Sequence, residues 1–178
     1  ALPRFEGDVL VVNGDVPQLR LADLEALLGR HRATGADAVF LTGIAADAGR
    51  LGRVVRDASG AFASIVEAKD AAGRPEILAL REFNTGMYAF RVEALRPALA
   101  RLTRENAQGE EYLTDALAHV QRAGGRVEAL PHADAAQLLG VNTHSDLAHA
   151  FSVLRRRVVE EHLARGVTIV DPDTTLIE

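Results

Sequence analysis

One acid at the end of an apolar run is the first residue of this chain placed to do chemistry. Val9-Leu10-Val11-Val12 are four consecutive β-favouring residues, and they lead directly into Asn13-Gly14-Asp15-Val16-Pro17. Such a run fits a strand buried on both faces of a parallel or mixed sheet. Gly14 frees the turn of a Cβ, and Pro17 stops the strand. Asp15 is then expected at the carboxyl end of a central strand, where open α/β sheets bind ligands. There it suits a divalent metal or a sugar hydroxyl. A plainer reading also fits, because Asp after Gly at a strand end is a common Asx-turn residue. Asn142, in Leu139-Gly140-Val141-Asn142-Thr143, is open in the same way. It is either a helix-capping residue, with Ser145 nearby, or a neutral oxygen ligand sharing a hard cation with Asp15. Mg²⁺ is typically held by one or two protein oxygens, with phosphates and water completing its shell.

A second group is Gly52, Glu67 and Asn84. Glu67 and Asn84 fall near the ends of adjacent predicted strands. A carboxylate acceptor and an amide that both donates and accepts are what a pocket needs to read sugar hydroxyls. Gly52 would offer backbone at close range. The alternatives are structural: Glu67 pairing with Arg53 or Lys69 on the surface, and Asn84 marking a bulge or turn before Thr85-Gly86.

Other chemistries are excluded. The chain has no Cys, so thiolate catalysis, disulfides and thiolate zinc sites are absent. The six His lack zinc-ligand spacing, and no Ser sits in a nucleophile elbow. Gly43 to Gly52 matches neither a P-loop nor a dinucleotide fingerprint. Lys69 is the only lysine, hence the only side-chain amine available as a nucleophile. The net charge of −5 argues against nucleic acid as a partner. No apolar run spans a bilayer and no signal-peptide pattern is present, so a cytoplasmic protein is expected.

The elements that must position these residues alternate between strand and helix, the mark of an α/β domain. After the Asp15 strand, Leu21, Leu24, Leu27, Leu28 and His31 recur at helical spacing, and Gly35 stops them. Ala38 to Ile44 reads as a buried strand. Val54-Val55 and Phe62 to Lys69 pair across the turn Asp57-Ala58-Ser59-Gly60. Glu82 to Phe90 is a strand. Val92 to Leu102 is a helix that tolerates Pro97 only in its first turn. Glu111 to Arg122 is a further helix, and Arg126 to Leu130 a short strand. A long helix capped by Ser145 runs to about Arg165 and ends at Gly166. Ala1 to Gly7 is expected to be a loop, and Val167 to Glu178 the start of a new β element.

Several of these segments, in this order, resemble one family. They are Asn13-Gly14-Asp15-Val16-Pro17, Leu51-Gly52-Arg53-Val54, Ile65-Val66-Glu67-Ala68-Lys69-Asp70, Phe83-Asn84-Thr85-Gly86, Asn106-Ala107-Gln108-Gly109-Glu110-Glu111-Tyr112-Leu113-Thr114-Asp115 and Gly140-Val141-Asn142. The chain resembles the bacterial bifunctional N-acetylglucosamine-1-phosphate uridyltransferase/glucosamine-1-phosphate acetyltransferases from about Asp8 to its end, and the segment from Asn106 to Asp115 is the most specific. The resemblance implies a Rossmann-like (GT-A-like) nucleotidyltransferase fold, a mixed α/β sheet that is N-terminally incomplete. Residues 1–144 would be the later part of the uridyltransferase domain, 145–166 a linker helix and 167–178 the first coil of a left-handed β-helix acetyltransferase. It further implies that Asp15 and Asn142 hold Mg²⁺. Gly14, Gly52, Glu67, Asn84, Tyr112, Thr114 and Asn142 would bind substrate, Tyr112 and Thr114 on the sugar-phosphate side. Asn13 stands where the family often has an aromatic residue, and Leu51 replaces a common Tyr.

The implied reaction joins UTP and N-acetylglucosamine 1-phosphate into UDP-N-acetylglucosamine and pyrophosphate. The family's LxAGxGTRM loop, with its catalytic Arg and Lys, is expected before Ala1, and the repeats that build a homotrimer after Glu178. No catalytic residue is therefore expected within the chain, which should be inactive and prone to self-association by itself. Two other readings are a different sugar-1-phosphate nucleotidyltransferase, for instance one acting on glucose 1-phosphate, and a non-catalytic sugar-nucleotide-binding or scaffold domain.

Overall fold

The computed structural model describes residues 6–177. The expected loop at the start lies outside them as far as residue 5, as does Glu178. Contacts divide the chain into two units: the residues up to Asn13 with Arg20–Ala136, and Gly14–Leu19 with the chain from Gln137 onward.

The first unit holds a mixed sheet of six strands. They are β1 (Asp8–Val11), β2 (Ala38–Ile44), β3 (Arg53–Arg56), β4 (Phe62–Val66), β5 (Glu82–Arg91) and β6 (Val127–Pro131). The order is β4-β3-β5-β2-β6, with β1 also paired to β5. Only β2 and β6 run parallel; the other pairs are antiparallel. Helix α1 (Leu21–Thr34) packs on β2 and β5. On the opposite face, α3 (Val92–Leu99) and α4 (Thr114–Arg122) enclose Phe40, Phe62, Tyr88 and Phe90 with Leu95, Leu117 and Val120. A short helix, α2 (Pro75–Leu78), lies between β4 and β5.

The predicted alternation is reproduced, and its local causes are visible. Gly35 closes α1 in the left-handed conformation (φ 64°), donating to the His31 carbonyl at 3.0 Å. The Asp57 carboxylate accepts from the Ser59 and Ala61 amides at 2.8 and 3.0 Å, which sets the β3–β4 hairpin.

In the first unit four expectations are corrected. Strand β1 is not a central strand buried on both faces: Val9 and Val11 pack on the core, while Leu10 and Val12 are exposed. Among the described residues it pairs with β5 alone, and α1 does not cover Leu10. Helix α3 carries Pro97 in its second turn rather than its first. Pro97 and Glu93, whose carbonyl loses its helical donor, are both exposed, so the break falls on the solvent side of the helix. Strand β4 ends at Val66 because the Glu67 carbonyl accepts from both Asp70 and Ala71, turning the chain. Helix α4 starts three residues later than expected, after tight turns in which Asp115 and Ala116 bond back to Tyr112 and Leu113.

The second unit consists of the turn Gly14–Leu19 and a three-residue-per-turn helix ending at Leu138. Helix α5 (His144–Ala164) and an extended segment complete it. Thr143, not Ser145, caps α5: its hydroxyl accepts from the Asp146 amide at 3.1 Å while the Asp146 carboxylate accepts from Thr143 N at 2.8 Å. Gly166 follows the helix in the left-handed conformation (φ 85°). Residues 167–177 form a turn at Asp171–Thr174 and no strand. Among the described residues no helix is long and apolar enough to cross a membrane.

Candidate functional site

In the first unit, Gly52, Glu67, Asn84 and Thr114 come together from four separate segments. The Gly52 carbonyl accepts from the Asn84 amide N–H at 2.9 Å, which extends the β3–β5 pairing by one bond. Gly52 lies against the Glu67 carboxylate so closely that a Cβ there would stand 3.0 Å from both oxygens and 2.9 Å from Ile65 Cγ2. At the start of α4, Thr114 Oγ1 donates to Glu67 Oε1 at 3.2 Å. Glu67 pairs with neither cation considered from the sequence. Arg53, 2% exposed as a residue, donates its guanidinium instead to the carbonyls of Ala48, Gly49, Leu51 and Leu78 and moulds the Gly-rich loop around itself. Lys69 donates to Gln108.

Glu67 is thus a partly buried carboxylate with one neutral partner. Burial pushes its carboxyl above the ordinary range; the Thr114 hydroxyl pulls it back, and the nearby charges of Asp70 and Asp115 push it up again. Asp115 is raised for the same leading reason, burial, with His119 opposing.

Asn84 sits beside an irregularity, so the structural alternative for it holds as well. Thr42 faces Asn84 and Phe40 faces Tyr88. Between those pairs β2 has only Leu41, whereas β5 has Thr85, Gly86 and Met87. This bulge is set by Gly86, at φ 79°, where a Cβ would stand 2.3 Å from Asn13 Nδ2. Thr85 Oγ1 donates across it to the Leu41 carbonyl at 2.9 Å, and Asn13 donates to the Thr85 carbonyl at 3.4 Å. Asn84 Oδ1 accepts from Gly86 N at 3.2 Å, and Asn84 Nδ2 donates to the Tyr88 hydroxyl at 2.7 Å.

Tyr112 lies on the loop between α3 and α4. Asn106 folds that loop by accepting from the Gln108 and Glu110 amides, both at 3.2 Å. Ala107 N donates to Asp70 Oδ1 at 2.7 Å, and Gln108 Nε2 donates to the Tyr112 hydroxyl at 2.8 Å. Lys69, the only amine side chain, therefore anchors a loop.

In the second unit, Asp15 and the Gly140–Asn142 segment are joined by a hydrogen bond from Val141 N to the Asp15 carbonyl at 2.8 Å. The Asp15 carboxylate lies over Gly140, where a Cβ would be 2.6 Å from Oδ2. Among the described residues it has no hydrogen-bond partner, so the Asx-turn reading fails. With Thr143 as the α5 cap, the capping reading of Asn142 fails too. Asn142 Nδ2 donates to the Gly140 carbonyl at 3.3 Å, leaving Oδ1 uncommitted. Gly14 needs no glycine for its backbone: its φ is ordinary, and a Cβ would meet nothing within 4 Å.

No family model matches the chain. Over its full length it is 48% identical to the bifunctional protein GlmU of Kineococcus radiotolerans. Over 98% of its length it is 41% identical to the bifunctional protein GlmU of Caldanaerobacter subterraneus subsp. tengcongensis. The chain belongs to the GlmU family. It spans 36% and 37% of the length of those two GlmU proteins. The solved structure of CMP:2-keto-3-deoxy-manno-octonic acid synthetase complexed with CTP superposes with a TM-score of 0.58 at 19% identity, covering 84% of this chain and 62% of that one. The fold of this GlmU-family chain is therefore a mixed α/β sheet of nucleotidyltransferase type, as the resemblance implied.

The donor set of the second unit fits a hard cation. Among the described residues it offers a carboxylate with no protein partner, resting in a space that a Cβ at Gly140 would fill, and an amide oxygen on Asn142 that accepts no hydrogen bond. Among the described residues no group of three or more His, Asp or Glu could hold a metal, so a cation here would take much of its shell from phosphates and water.

Sequence reading missed two contributors to this candidate site. Tyr88 reads as one more aromatic in an alternating strand. Arg53 reads as a surface cation flanking a Gly-rich stretch. The available signal for Tyr88 was Gly86 within a strand pattern, which marks a bulge and hence an altered set of neighbours.

Proposed function

We propose that this chain forms the sugar-recognition pocket and the cation-holding turn of a GlmU-type uridylyltransferase. The reaction transfers UMP from UTP to N-acetylglucosamine 1-phosphate. A phosphate oxygen of the sugar phosphate attacks the α-phosphorus of UTP, and the bond to the β-phosphate breaks, releasing UDP-N-acetylglucosamine and pyrophosphate. The observation that carries this reading is the meeting of Glu67, Asn84 and Thr114 beside bare Gly52 backbone, with Glu67 free of any cation. A polyhydroxyl ligand satisfies such a carboxylate.

In this reading Glu67 accepts a sugar hydroxyl, Asn84 uses its remaining N–H and lone pair on the sugar, and Gly52, lacking a Cβ, gives the Glu67 carboxylate room to sit in the pocket. Thr114 and Tyr112 lie on the sugar-phosphate side, Tyr112 steadied by Gln108. Gly14 leaves its backbone open to the nucleotide. Asp15 and Asn142 would hold Mg²⁺, which when bound neutralises phosphate charge in an otherwise positional reaction. Residues 145–166 serve as the linker helix and 167–178 as the opening coil of an acetyltransferase β-helix through which a longer protein trimerises.

The test is a titration of the chain with N-acetylglucosamine 1-phosphate by saturation-transfer NMR and calorimetry, alongside Glu67→Gln. Loss of a charged hydrogen bond worth about 1.5–3 kcal/mol predicts a roughly 10- to 100-fold weaker complex. Equal affinity in the two proteins, or no binding to the wild-type chain, overturns the reading.

A further inference from the structure

The bulge in β5 gives Asn84 a neighbour that strand spacing alone does not provide. In a regular strand, residues four apart lie about 13 Å apart. Here the three residues opposite Leu41 fold the chain so that Asn84 Nδ2 reaches the Tyr88 hydroxyl at 2.7 Å. The backbone N–H of Gly86 can only donate, so it fixes Oδ1 as its acceptor and fixes which edge of the amide holds the NH₂ group. Tyr88 then accepts one of the two Nδ2 protons. Its ring is locked between Phe40 and Phe90, with centroids at 6.5 and 5.6 Å, and only 3% of the residue is exposed. The hydroxyl is therefore a fixed point rather than a mobile one. Asn84 is left with one N–H and one lone pair, held in one plane, beside the Gly52 carbonyl to which its own backbone is tied.

We propose that Tyr88 is a positioning residue of the sugar pocket: through its hydroxyl it holds the Asn84 amide so that one N–H and one lone pair stay available to a ligand. This deepens the proposed function and rests on it for the identity of the ligand. A phosphosugar whose C2 substituent offers both a donor and an acceptor, as an acetamido group does, is matched by that edge. A C2 hydroxyl presents both functions on a single atom and cannot span it. Without the hydroxyl, the buried N–H loses its acceptor, and the amide turns to find another.

The experiment uses the full chain and Tyr88→Phe, with Leu27→Val as a core variant on α1, outside the cluster that holds Tyr88. In the free protein, ¹⁵N-resolved NMR should show two well-separated, slowly exchanging Asn84 side-chain protons in wild type and Leu27→Val. In Tyr88→Phe these signals should converge and exchange faster. Wild type should prefer N-acetylglucosamine 1-phosphate to glucose 1-phosphate, and Tyr88→Phe should lower that ratio about tenfold while Leu27→Val keeps it. Unchanged Asn84 signals in Tyr88→Phe overturn the proposal whatever the sugars do, as does an unchanged ratio. If wild type binds neither sugar phosphate, the proposed function fails, and the Asn84 signals still decide whether Tyr88 positions that amide.

Discussion

Replacing Gly52 with Ala tests the central geometry of the proposed sugar pocket directly. Gly52 has an ordinary φ, so the substitution strains no backbone dihedral, and all its cost comes from contact. The new methyl carbon would lie 2.9 Å from Ile65 Cγ2, roughly 0.6–1.1 Å inside the carbon–carbon optimum of about 3.5–4.0 Å. It would also lie 3.0 Å from both Glu67 oxygens. The backbone cannot retreat easily. The Gly52 carbonyl is bonded to Asn84 N, and the next residue, Arg53, is buried with its guanidinium on loop carbonyls. The side chains must yield, and Glu67 does so by leaving Thr114. Overpacking of this kind costs about 1–3 kcal/mol. The reduced entropy of the unfolded chain returns about 0.4–1 kcal/mol. A net loss of about 0–2.6 kcal/mol follows, centred near 1.3 kcal/mol, or a Tm lower by about 3–5 °C at that centre in a chain of this size. Calorimetric melting of Gly52→Ala beside Gly14→Ala measures it, since a Cβ at Gly14 meets nothing and should be neutral or stabilising. Affinity for N-acetylglucosamine 1-phosphate should fall at least tenfold in Gly52→Ala alone. A Gly52→Ala protein as stable as wild type, with affinity within about twofold, would refute the reasoning.

Two further outcomes follow from the same geometry. Because burial raises the Glu67 carboxyl above its ordinary value of 4.5, the folded state favours the protonated form. The stability from protonating Glu67 is complete below that ordinary value and is lost as pH rises through the raised native value. Glu67→Gln should therefore melt higher than wild type at pH 7, with the difference closing toward pH 4; a lower Tm at pH 7 contradicts this. For the cation site, Mn²⁺ added to the chain should broaden the NMR signals of Gly14, Asp15, Val141 and Asn142 first, and Asp15→Ala should abolish the effect. Broadening that survives the substitution removes Asp15 as a ligand.

Much of the fold was legible because its elements announce themselves locally. The Leu24-Leu27-Leu28-His31 spacing and the following Gly35 specify α1 and its end without reference to anything distant. Asp57 and Gly60 specify a hairpin in the same way. The candidate residues Asp15, Gly52, Glu67, Asn84 and Asn142 were legible as chemical types at element ends, all but Gly52 with a structural alternative. Geometry decided among those alternatives: Arg53 and Lys69 proved to be engaged elsewhere, and Thr143 took the cap position. For Asn84 the geometry fits the bulge and leaves the other alternative open.

The sequence by itself determined the alternation of strand and helix, the acid after β1, and the family to which these motifs point. Those properties depend on neighbours a few residues apart, where periodicity, turn chemistry and capping act. Only the tertiary structure decided that β1 is covered on one face, that Arg53 lies inside its loop, and that Tyr88 meets Asn84 across a bulge. Each of these depends on what a distant segment places opposite, and local pattern carries no record of that pairing. A buried polar group takes the partner that the pairing supplies, because leaving it unsatisfied costs about 1–3 kcal/mol.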